Sequence, residues 1–93
     1  MAEQAIGTVQ VDNERVKVTE WSFAPGAETG HHRHEFDYVV VPLTQGKLLI
    51  KGASGEHYAE LSPGHSYARN AGVEHNVINA NPHPFRFIEI EIK

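Results

Sequence analysis

Three of the seven histidines in this chain of 93 residues are spaced so that they can act on one target. In an extended strand, alternate side chains point to the same face. His32 and His34 are therefore set to present two imidazoles to one point. His75, 41 residues after His34, can add a third from a distant strand. Neutral imidazole binds zinc, copper, iron and nickel, and three such ligands leave coordination positions open for water, oxygen or substrate. Asp37 and Tyr38 follow closely and are candidates for a further ligand or a substrate contact. The plainer expectation for them is a turn residue at a strand entry and a packed aromatic with a satisfied hydroxyl. His31 is adjacent to His32 and so points away from it, and His57, His65 and His83 read as surface residues of strands and turns.

The elements that must position these side chains read as strands joined by turns. Val9 and Val11 alternate with polar residues, and Asp12-Asn13-Glu14 is a turn signal. Val16 to Phe23 alternates again, with a phase change near Thr19 that suggests a bulge. Pro25-Gly26 ends that run. Phe36 to Leu43 is apolar almost throughout, the pattern of a strand buried on both faces. Further strands are expected over Lys47–Lys51, His57–Leu61, His65–Arg69, His75–Ala80 and Phe85–Ile92, the last with Ile88, Ile90 and Ile92 on one face. Short strands with turn signals every 8–12 residues indicate an all-β sandwich or barrel. Apolar residues nowhere keep a helical period over three turns, and no linker or repeat divides residues 1–93, so one domain is expected.

Composition narrows the partners. Eight basic and twelve acidic residues give a net charge of −4 with the signs interspersed, which argues against nucleic acid or an anionic membrane. No apolar stretch approaches the roughly 20 residues that span a bilayer. Met1-Ala2-Glu3-Gln4 lacks the features of an export signal, and there is no cysteine. The expectation is a cytoplasmic chain. A chain this short buries only about 60–65% of its unfolded surface. Closing the sheet into a barrel, or pairing with a second copy, would supply more burial, and the run Val39–Leu43 points to a homodimer.

Two glycine-bracketed segments carry a family resemblance. Gly26 is followed by five residues, then His32-Arg33-His34, with Gly46 closing the segment. Gly64 is followed by five residues, then Asn70-Ala71-Gly72, His75 and Asn79. This pair resembles the two sequence motifs of the cupin superfamily, with Asn70 where the motif has proline. The likeness covers nearly the whole chain. Asp37 to Leu43 and Gly72 to Asn79 look like a group of small bacterial single-domain cupins, some named for β-alanine degradation. The resemblance implies a double-stranded β-helix (jelly-roll) barrel. It also implies a metal site of three histidines and one glutamate. The glutamate position falls on Val39, or on Tyr38 with a shorter spacing, and neither is a carboxylate. Asp37, two residues before Val39, is the candidate to stand in for it, the alternative being that it sits in the turn and faces water.

The resulting expectation is one divalent transition metal per subunit (iron, nickel, zinc or manganese) held by His32, His34 and His75. A metalloenzyme of oxygenase or isomerase type, acting on a small amino-acid-derived or carboxylate metabolite, is the first reading. A non-catalytic small-ligand-binding or sensing module is the second. A metal-free barrel of sugar-epimerase type, with His32 and His34 as acid and base, is the third.

Overall fold

β-Branched and aromatic residues alternating with polar ones, cut by Gly, Pro and Asn, give strands and little else. The computed structural model describes residues 3–93. The strands are β1 (Ile6–Asp12), β2 (Val16–Phe23), β3 (His32–Arg33), β4 (Asp37–Pro42), β5 (Gly46–Gly52), β6 (Gly55–Leu61), β7 (Tyr67–Arg69), β8 (Glu74–Asn79) and β9 (Phe85–Ile92). Among the described residues no helix is long and apolar enough to cross a membrane. One sheet has the order β1-β2-β9-β4-β7 and the other β3-β8-β5-β6, with antiparallel pairing between the named strands. From β2 onward the chain passes back and forth between the two sheets, and the architecture is the all-β double-stranded β-helix.

The two inner faces make the core. Phe23, Phe85, Leu48, Pro42 and Asn79 are the largest fully buried residues, and the Phe23 and Phe87 rings lie 5.5 Å apart. Each buried aromatic contributes on the order of 2–3 kcal/mol. At the β1–β2 turn the Asn13 side chain accepts hydrogen bonds from the Arg15 and Val16 amides. At the far end of the barrel Asn79 is 2% exposed. Its Nδ2 donates to the carbonyls of Phe23, Ala24 and His83, and its Oδ1 accepts from the Asn81 amide and side chain. Asn81 in turn sits so close to Gly46 that a Cβ there would meet its Oδ1 at 2.6 Å.

Three local expectations are corrected, and a fourth, on β9, is completed. The irregularity belongs to β1, where Gln10 is the extra residue opposite Thr19 and Val18, while β2 runs in unbroken register with β9. β4 alternates: Tyr38, Val40 and Pro42 are buried, and Val39 and Val41 are half-buried on the outer face. β7 begins at Tyr67, because His65 belongs to the preceding turn, where its amide bonds the Ser62 carbonyl. On β9 Ile88, Ile90 and Ile92 do share one face, the outer one, and the inward set is Phe85, Phe87 and Glu89.

Candidate metal centre

Backbone pairing brings the three histidines together. β3 is only two residues long, and its register sets His32 directly opposite His75 on β8. His34 lies just past the end of β3. Its amide donates to the Val73 carbonyl and its carbonyl accepts from the Gly72 amide, so it stays docked on the entry to β8. Gly72 has φ +95°, in the left-handed region where a side chain is strained.

The imidazoles converge through Nε2. His34 Nε2 lies 3.0 Å from His32 Nε2 and 3.0 Å from His75 Nε2. One ligand atom from each of the three falls within 4.8 Å of the others. His32 Nδ1 is 2.9 Å from the Gly30 carbonyl oxygen, which can only accept. The proton of His32 is thereby placed on Nδ1, leaving the Nε2 lone pair to face the cluster. Metal-bound histidines are oriented by the same kind of outer hydrogen bond. Gly30 is itself fixed, because its amide donates to the Asn76 side chain. Burial, with His32 adding to it, holds His34 and His75 down to about 4, so both rings are neutral near pH 7. Neutral rings with converging Nε2 atoms either share protons or turn their lone pairs to one cation, and the donor set fits a divalent transition metal.

Tyr38 and Asp37 part company. Tyr38 is 2% exposed and its ring stacks on His34 with centroids 3.8 Å apart. Burial pushes its hydroxyl up, so it stays protonated. Tyr38 therefore stands beside the cluster, where the shorter motif spacing puts the glutamate. Val39 turns outward, opposite Ile90 and Ala68. Asp37 is exposed, accepts a hydrogen bond of 2.8 Å from the Ala71 amide and does not reach the cluster. The structure thus turns Asp37 to the Ala71 turn and does not bring it together with the three histidines. An acid on an outward-facing strand position, tied to a neighbouring turn, cannot also reach inward.

The histidines open into a cavity of about 330 Å³. Its walls include Trp21, Tyr38, Tyr67, Phe87, Glu89 and Glu91. Glu89 and Glu91 escaped the sequence reading, yet a signal was there: they continue the two-residue step of the buried pair Phe85 and Phe87. Glu20 faces outward to Arg86, at 3.5 Å, and Arg69 stacks on Tyr67, 4.7 Å from its centroid. His31 is exposed, 3.6 Å from Glu74, and His57, His65 and His83 are exposed as well.

Comparison with known proteins agrees with this geometry. Residues 19–91 match the Cupin_2 family, described as a cupin domain. The chain is 63% identical over 90 residues, 97% of its length, to the β-alanine degradation protein BauB of Pseudomonas aeruginosa, and the match covers 95% of that protein. It superposes on the crystal structure of a cupin domain from Bordetella pertussis with a TM-score of 0.99 and 59% identity, covering 100% of this chain and 97% of that one. The polyketide cyclase RemF of Streptomyces resistomycificus is similar in fold alone, with a TM-score of 0.75 at 19% identity, covering 98% of this chain and 68% of that one. The chain belongs to the cupin family.

Proposed function

We propose that this chain is a metal-binding small cupin that acts on a small amino-acid-derived or carboxylate metabolite. The observation that carries the reading is the convergence of three Nε2 atoms in a cavity sized for one small molecule. His32, His34 and His75 would hold one iron, nickel, zinc or manganese ion per subunit. When bound, such an ion supplies Lewis acidity and open positions for water, oxygen or a substrate oxygen. The chain's own groups fix the His32 tautomer through Gly30, shield the cluster with Tyr38 and give the ligand an aromatic wall. The 63% identity to a β-alanine degradation protein supports a substrate class of small amino acids or their carboxylate derivatives. A cytoplasmic setting and a homodimer belong to the same proposal.

A non-catalytic binding module is the second reading, and Tyr38 in place of the motif carboxylate is what favours it. The two readings part on turnover or oxygen uptake by the metal-loaded protein.

Elemental mass spectrometry on untagged protein tests the metal site. About one equivalent of metal is expected in the wild type and less than about a tenth in His34→Ala, because removing one of three ligands leaves two. Metal that survives the substitution would place the ion elsewhere.

A further inference from the structure

Glu89 and Glu91 have no part in the histidine cluster, yet both line its cavity. β9 carries Glu89 between Thr19 of β2 and Val40 of β4, and Glu91 between Lys17 and Tyr38. Glu89 is 8% exposed. Among the described residues it forms no ion pair within 4 Å; the acids that do are Asp12, Glu20, Glu56 and Glu74. Among the described residues the cation that acts on it is Lys17, whose influence is the weakest of those it feels. Burial, reinforced by Glu91, outweighs the Trp21 indole and Lys17 and raises its carboxyl to about 7. A buried carboxylate with no counter-ion is costly, and a proton or a bound cation relieves it. Trp21, Tyr38 and Tyr67 line the same space, and aromatic walls favour an ammonium group over bulk water.

We propose that the cavity takes a small molecule bearing a primary ammonium group, seated on Glu89 with Glu91 beside it. This deepens the functional reading above by naming the charged end of its ligand. It rests on the cavity being the ligand site and not on the metal. The groups facing Glu89 are Glu91 from β9, Tyr38 from β4, Tyr67 from β7 and Lys17 from β2. Burial keeps both tyrosines protonated, and an aliphatic amine stays charged through neutral pH. The sign then follows. Below about pH 7 the ammonium must displace the Glu89 proton, so affinity rises with pH up to about 7 and levels off above it.

The test is calorimetric titration of metal-free protein with n-propylamine, 1-propanol and sodium propionate. Measurements at about pH 6 use two buffers of different ionisation enthalpy, so that released protons are counted. Saturable n-propylamine binding at roughly millimolar affinity is expected, the range open to so small a ligand. Proton release should accompany it, and the other two compounds should bind at least about tenfold more weakly. Glu89→Gln keeps the shape of the side chain and should lose the proton release and about tenfold in affinity. Glu91→Gln should weaken binding while keeping the release. Thermal unfolding of each variant confirms that it is folded. Three results would overturn the proposal: no n-propylamine binding, propionate or propanol binding as well as the amine, or Glu89→Gln matching the wild type. Metal content measured on the same preparations separates this outcome from failure of the histidine site, which would leave amine binding intact.

Discussion

Tyr38 is the residue that distinguishes this site from its family pattern. It fills the space beside His34 with a neutral ring where the motif calls for a carboxylate. A carboxylate there would add a fourth, charged oxygen to three neutral nitrogens. Tyr38→Glu is therefore expected to tighten zinc or nickel binding on the order of tenfold, a gain of about 1.4 kcal/mol. Val39→Glu, one residue along but facing outward, should leave affinity unchanged. Competition against a fluorescent chelator measures both. Equal tightening in the two variants would mean that general negative charge acts rather than ligation, and no gain in Tyr38→Glu would mean that position 38 does not reach the ion. The sequence left these two positions open, because a one-residue difference in spacing moves a strand side chain to the opposite face.

At the scale of the elements, Asn79 does for the closed end of the barrel what Gly72 and Val73 do for the open one. Its side chain joins the end of β2, the end of β8 and the turn before β9. Asn79→Ala takes a donor from the Phe23, Ala24 and His83 carbonyls and an acceptor from the Asn81 amide and side chain, although Ala24 keeps the Ala27 amide and Asn81 Nδ2 keeps the Lys47 carbonyl. At about 1–3 kcal/mol per unsatisfied buried group, partly relieved by water, a loss of roughly 2–4 kcal/mol is expected. For a domain of this size that lowers Tm on the order of 10–20 °C by calorimetry. A shift of only a degree or two would mean that the Asn79 bonds are matched by water and the barrel end is held by apolar packing. Most strand positions were legible in the sequence because Gly, Pro and Asn mark most turns; His34-Glu35-Phe36 between β3 and β4 has none of them. The histidine site was legible because a two-residue step is all that His32 and His34 need, and the register pair His32 and His75 completes it. What could not be read was the phase of strands apolar on both sets. In β9 the three isoleucines share a face, but the pattern does not say which face is inner, and the aromatic pair Phe85 and Phe87 takes it because a larger buried area outweighs the isoleucines. That phase carries Glu89 into the cavity, and so the acidic group was hidden together with it. The Thr19 irregularity misled for a similar reason: Val16 and Val18 belong to the outer face and Trp21 and Phe23 to the inner one, which reads as a phase change in a strand that has none.

For the whole molecule the same phase of β9 leaves an apolar stripe on the outside of the five-stranded sheet. Val11, Val18, Ile90 and Val39 stand in one register row across four strands, with Val16 and Ile92 in the row on one side and Ile88 and Val41 in the row on the other. At strand and residue spacing these rows cover on the order of 300–400 Å², the size at which an exposed apolar patch marks an interaction surface. That is about half of the ~800 Å² per partner in a standard interface, with the polar rim, including the Glu20–Arg86 pair, available for the rest. A face of antiparallel strands meeting its own copy about a two-fold axis is self-complementary, because every row meets the same rows reversed. The expected mass by light scattering is therefore twice the 10.3 kDa of the chain. Val39→Glu puts a charge into the central row, beside Ile90, and should shift the population to the single-chain mass at micromolar concentration. A wild-type protein that scatters as a single chain, or a Val39→Glu variant that stays dimeric, would remove this face as the dimer surface. Since His32, His34 and His75 all come from one chain and face inward, the monomeric variant should still carry its metal. Loss of metal on dissociation would show that the second subunit holds the barrel in its binding shape.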